Sequence, residues 1–171
     1  FLWSANAIYK ETEAEREAGR FWSEYMKGAG YRTYMTGKWH VRANAAKAFD
    51  VTAHVRGGMP KQTPQGYGRP VEGKDDPWKP WEESFGGYWE GGTHWSEVVA
   101  NNALDFLEDA AGQKKPFFMY IAFNAPHDPR QSPKRFVDRY PLDSIMVPKN
   151  YLPLYPYKDS IALGTGQRDE K

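Results

Sequence analysis

Lys38 and His40 stand two positions apart, just past a Tyr- and Thr-rich run over residues 31–36 that reads as a short β-strand. In an extended chain, positions two apart face the same way, so an ammonium and an imidazole there can meet a single oxyanion. The lysine supplies a fixed positive charge for a sulfate or phosphate oxygen, and the imidazole can move a proton near neutral pH. A third candidate, His127, follows a second apolar run and lies between Pro126 and Asp128, with Pro129 beyond. Proline fixes its own φ and restrains the residue before it, so this loop is a stiff mount for a catalytic imidazole. By spacing alone, the same residues also fit a surface lysine beside a hydrogen-bonded histidine, and a turn histidine that satisfies a nearby carbonyl.

Other residues carry two readings each. Asp128 can ligate a metal or orient an imidazole, or simply open a turn before Pro129. His54 and His94 can line a pocket or serve structure. Trp78, Trp81 and Trp89 can stack on sugar rings, or pack down the loop that bears them. The Gly57-Gly58 and Gly86-Gly87 pairs read as turns, since no strand–glycine loop–helix setting supports a phosphate cradle. There is no nucleophile-elbow sequence and no His-Glu-x-x-His or Cys/His metal spacing.

Positioning these residues falls to a short series of elements. Ala14, Ala18, Phe21, Trp22, Tyr25 and Met26 recur at helical spacing, which predicts a helix over residues 13–27 stopped by Gly28 and Gly30. From about residue 44 to 93 regular period is lost and Gly and Pro punctuate the chain, which reads as a long ordered loop anchored by aromatic residues. A second helix follows, capped by Thr93 or Ser96, lined by Val98, Val99, Asn102, Ala103, Phe106, Leu107 and Ala110, and closed by Gly112. The apolar run 116–123 fits a strand buried on both faces. A short helix begins at Ser132 as cap with Pro133 at its first position, and residues 141–157 read as an extended Pro-rich tail. The alternation implies an α/β fold with a mostly parallel sheet, in which ligands sit beyond the carboxyl ends of the strands. Both predicted strands end in a loop that holds a histidine.

Composition bounds the function. With 23 basic and 22 acidic residues the net charge is +1, which provides no footprint for nucleic acid or an anionic membrane. A substrate anion must therefore be met by a few placed cations. The absence of cysteine excludes disulfides and thiolate-ligated metals. No apolar run approaches the ~20 residues of a membrane span. The chain starts at Phe1, with no signal-peptide pattern near it, so the natural start and any targeting segment are expected upstream.

The segment Gly30-Tyr31-Arg32-Thr33-Tyr34-Met35-Thr36-Gly37-Lys38-Trp39-His40 resembles the G-Y-x-T-x-x-x-G-K-W-H signature of sulfatases, in the alkaline-phosphatase superfamily. The segment from Lys115-Pro116-Phe117-Phe118 to Phe123-Asn124-Ala125-Pro126-His127 resembles the family's second hallmark, K-P-F-F-x-x-x-x-F-x-x-P-H. The tract Phe49-Asp50 through His54-Val55-Arg56, with Gly58-Met59-Pro60, is similar to a choline-sulfatase-like bacterial branch.

The resemblance implies a sulfuric ester hydrolase, with Lys38 and His127 binding the sulfate and Lys38, His40 and His127 in the catalytic set. It implies a calcium ion and a formylglycine nucleophile in the parent, whose C/S-x-P-S-R motif and acidic metal pairs are absent from this chain. Residues 1–171 are accordingly expected to be an internal part of one catalytic domain, inactive alone. A sulfated small molecule or glycan is the implied substrate, and a periplasmic or secreted location is implied by the family. The rivals are a phosphomonoester or phosphonate-ester hydrolase of the same superfamily, and a non-catalytic carbohydrate-binding module using the Trp-rich loop.

Overall fold

A computed structural model describes residues 5–58, 60, 61, 64–66, 71 and 73–152. Its centre is a three-stranded parallel sheet in the order β2–β1–β3, formed by β1 (Arg32–Lys38), β2 (Val51–Arg56) and β3 (Phe117–Ala122). Helices α1 (Ala5–Glu17), α2 (Trp22–Gly28), α3 (Ala45–Ala48), α4 (Trp95–Ala111) and α5 (Lys134–Val137) surround it. No described helix is long and apolar enough to cross a membrane. The α/β class with a parallel sheet agrees with the sequence.

The middle of β1 is buried from Thr33 to Gly37, and its alternate residues feed two different layers. Tyr34 packs with Phe106 and Ala110 of α4, while Met35 packs with Ala45, Ala48 and Phe49 on the opposite face. The amino end of β1 is tied to the start of β2, because the Asp50 carboxylate accepts hydrogen bonds from the Thr33 amide (2.8 Å) and hydroxyl (3.0 Å). A third cluster, Tyr88, Trp95 and Val99, seats the start of α4 on the long loop.

Several elements differ from their sequence reading. The predicted helix 13–27 is two helices, with the Phe21 amide restarting the second by donating to Glu24 Oε2 (3.2 Å). Trp22 and Tyr25 of the expected apolar stripe are exposed, while Phe21 packs against the Met35 cluster. Within the supposed aperiodic stretch, α3 and β2 are regular elements. The alternation of Val51, Ala53 and Val55 is present in the sequence, but a bulge at His54 (φ 45°) interrupts it. Thr36 pairs with Ala53, and its neighbour Gly37 pairs with Val55. As a result Val51 and Ala53 join the α4 layer, while Val55 joins the Met35 layer.

The strand expected to be buried on both faces, β3, is instead half open, with Phe117 and Tyr120 48% and 45% exposed. Among the described residues it pairs only with β1, so it is an edge. Helix α4 is capped by His94, neither Thr93 nor Ser96, and its Leu107 points outward. Pro133 occupies the cap of α5, one position later than read. The tail contains one 3₁₀ turn, Leu142–Ser144, and residues 153–157 of that reading lie outside the described residues.

Candidate functional site

All three strands are parallel, so their carboxyl ends meet at one edge of the sheet. Lys38 ends β1 in register with Arg56 at the end of β2, and Gly37 lies in register with Ala122 at the end of β3. Gly37 has φ +96°, and a Cβ there would drive into the Ala122 carbonyl oxygen and stand 2.8 Å from its carbon. Glycine alone lets the two strands close at this point.

Trp39 orients the segment that follows. Its amide donates to the Arg56 carbonyl (2.7 Å) and its indole N–H to the Ala43 carbonyl (2.7 Å). Its ring packs edge-on against Phe49, Tyr120 and Phe21. With Trp39 thus anchored, Lys38 is half-buried and His40 exposed, and both line one open cleft of about 490 Å³ together with residues 120–123 of the neighbouring strand.

His127 leaves the same edge from β3, through a loop containing the cis peptides Ala125–Pro126 and Asp128–Pro129. Its ring is exposed, and it stands outside the lining of the Lys38–His40 cleft. Its Nδ1 lies 2.9 Å from the Asp128 carbonyl. A carbonyl only accepts, so Nδ1 carries the hydrogen and Nε2 is left as the atom that gains or gives up a proton. The backbone of the loop is tied in several places. Buried Asn124 accepts from the Trp95 indole (2.9 Å) and donates to the Gly58 carbonyl (3.2 Å), while the His127 carbonyl accepts from the Tyr88 hydroxyl (2.9 Å).

The remaining candidates serve structure. His54 Nδ1 meets Asn102 Oδ1 (3.1 Å), and the Asn102 amide donates to the Thr36 hydroxyl (2.9 Å), which pins the bulge to α4. Trp78 is buried and donates to the Arg130 carbonyl (3.3 Å), and Trp89 donates to the Pro80 carbonyl (3.0 Å). Trp81 holds the Lys134 ammonium 5.3 Å from its ring centre. The indoles therefore fasten the long loop to itself and to the segment after His127. Sequence reasoning missed Arg56, whose guanidinium lies 3.8 Å over the Trp95 ring and 3.4 Å from Glu90. Its signal was its place at a strand end, which the bulge at His54 concealed.

His94 is 2% exposed, accepts the Ser96 amide on Nδ1 (3.2 Å), and has a buried Nε2 without a hydrogen bond of good geometry. Burial pushes its pKa below the ordinary histidine value, outweighing the opposing pull of the Gln131 backbone and Glu97. A folded-state pKa below that of the unfolded chain gives stability that is complete above about pH 6.5 and declines as pH falls below that value. His94→Asn keeps a capping acceptor but cannot titrate. The denaturation midpoint of this variant is therefore expected to fall less than the original's between pH 7 and pH 5. An equal fall in both would remove His94 as a source of the pH dependence.

Among the described residues no group of three or more His, Asp or Glu could hold a metal ion. The residues present therefore do not fit the implied calcium site, and without any cysteine or C/S-x-P-S-R motif they do not supply the implied nucleophile.

Comparison with known proteins places this geometry. The family model described as Sulfatase matches residues 22–161, a range that contains β1, β3 and both histidine loops. An arylsulfatase of Klebsiella aerogenes is 28% identical over 160 residues, covering 81% of this chain and 31% of that protein. An uncharacterized sulfatase, YidJ, of Escherichia coli (strain K12) is 33% identical over 46 residues, covering 27% of this chain and 9% of the other. The chain spans less than a third of the length of these curated relatives.

Proposed function

Because this chain belongs to the sulfatase family, we propose that it forms part of a catalytic domain that hydrolyses sulfuric esters, with Lys38, His40 and His127 contributing part of the sulfate pocket. The observation that carries this reading is the shared sheet edge: loops distant in sequence leave the carboxyl ends of neighbouring parallel strands, one with Lys38 and His40, the other with His127.

The roles follow from chemistry. The Lys38 ammonium neutralises sulfate oxygens in the ground state, and more strongly as charge builds on them in the transition state. His40, in the same cleft, donates a hydrogen bond to the sulfate side of the pocket. His127, protonated on both nitrogens, gives the Nε2 proton to the ester oxygen as the S–O bond breaks. A bond from sulfur to an attacking oxygen nucleophile forms as the old one breaks, the old bonding pair stays on the ester oxygen, the product leaves as a neutral alcohol or phenol, and the imidazole becomes neutral. The Asp128 carbonyl retains the Nδ1 hydrogen throughout.

Turnover by the whole protein bearing this segment tests the reading. With matched leaving groups, an aryl sulfate is expected to be cleaved at least about 100-fold more efficiently than the aryl phosphate, a difference of about 2.7 kcal/mol in transition-state binding. Preference for the phosphate would replace this reading with a phosphomonoesterase. The resemblance of residues 49–60 supports choline sulfate as the finer substrate, and including it in the same assay decides that point.

A further inference from the structure

The chain around residues 86–88 lies far in sequence from His127, yet grips its loop at three places. Gln131 is 5% exposed, and its side-chain amide is used at both ends: Oε1 accepts the Tyr88 amide hydrogen (2.7 Å) and Nε2 donates to the Gly86 carbonyl (2.8 Å). The Tyr88 hydroxyl then donates to the His127 carbonyl (2.9 Å), with the phenol ring 1% exposed against Trp95 and Val99. Gly87 has φ +65°, and a Cβ there would run into Gln131 Oε1 and stand 3.0 Å from Cδ. The Gly86-Gly87 pair is thus shaped to receive a buried amide, beyond making a turn.

We propose that Tyr88 and Gln131 are positioning residues for His127. The inference rests on His127 being the group that protonates the leaving oxygen. Hydrogen bonds at the His127 carbonyl and at Gln131 bracket the intervening segment, 128–130, whose Asp128 carbonyl holds the imidazole by Nδ1. The His127 carbonyl and the Gln131 side chain are therefore the two anchors that set where Nε2 points. A proton donor works only within hydrogen-bond reach of its acceptor, so a loosened mount weakens the transfer most where the leaving group needs the proton.

The test is made in the whole protein with Tyr88→Phe, which removes one hydroxyl and keeps the buried ring. Two sulfate esters are compared, 4-nitrophenyl sulfate with a good leaving group and phenyl sulfate with a poor one. Protonation matters most for the poor leaving group, so Tyr88→Phe is expected to lower kcat for phenyl sulfate about tenfold more than for 4-nitrophenyl sulfate, with any change in KM shared by both esters. The ratio is independent of the amount of folded enzyme, so partial misfolding cannot imitate it. His127→Ala is run beside it and is expected to show the same bias more strongly. If His127→Ala shows the bias and Tyr88→Phe does not, the positioning role is overturned while the acid survives. If His127→Ala lowers both substrates equally, the assignment of the acid fails, and the positioning role with it.

Discussion

Replacing Lys38 by Ala in the whole protein is expected to lower kcat/KM for an aryl sulfate by about 10²–10³-fold, the usual cost of one preorganised charge on a developing oxyanion. The loss should fall on both constants. The sulfate is already anionic when it binds, so KM rises, and the charge redistributed in the transition state loses its partner, so kcat falls. Lys38→Arg should recover only part of the activity, because a planar guanidinium cannot occupy the volume of a compact ammonium. Lys38 is half-buried at a strand end, away from the buried middle of β1, so its removal should leave the denaturation midpoint nearly unchanged. Full activity in Lys38→Ala would take the lysine out of the pocket.

Gly37→Ala is expected to have the largest effect on folding. The new methyl group would meet the carbonyl of Ala122, a backbone group on the paired strand that no rotamer change can move aside. Relief requires β1 and β3 to separate or Gly37 to leave φ +96°, and either change costs pairing at the sheet centre. A destabilisation above about 4 kcal/mol is expected, which is comparable with the whole stability of many domains. The variant should fail to accumulate or should melt early. Gly28→Ala is the matched control: Gly28 closes a helix and has open space around its Cα, so alanine there should be neutral or slightly stabilising. Equal behaviour of the two variants in a denaturant titration would show that the strand contact does not require glycine.

How far the sequence revealed this can be judged from particular residues. The strand ending at Lys38 and the one leading to His127 announced themselves by composition, and the stripe Val99, Asn102, Phe106, Ala110 placed α4 within a residue or two. Local pattern sufficed because each of these elements is continuous. Strand β2 escaped although Val51, Ala53 and Val55 alternate, because the run is only six residues long and leads straight into the Gly- and Pro-rich stretch. The first two helices merged because Phe21, Trp22, Tyr25 and Met26 extend an apolar spacing across a local break, where Gly19 (φ +71°) closes the first helix. At the site, Lys38, His40 and His127 were visible from their types and flanks. Their supports were not: Tyr88, Trp95 and Gln131 act through one or two hydrogen bonds each, across 29 to 45 residues of chain, and nothing local marks such pairs.

The irregularity in β2 acts as a counter. On an unbroken strand, Val51, Ala53 and Val55 would all turn to the α4 layer, and Arg56 would turn away from it. The added residue reverses parity once, so Val55 reaches the Met35 layer and Arg56 comes to rest over Trp95. What this stretch must preserve is therefore the position of the extra residue outside the ladder. Asn or Gly in place of His54 suits the left-handed backbone and leaves the count intact. Drawing His54 into the ladder with every residue kept would send Val55 to the α4 layer and carry the arginine to the other side of the sheet, whereas deleting the bulged residue would leave both on their present faces.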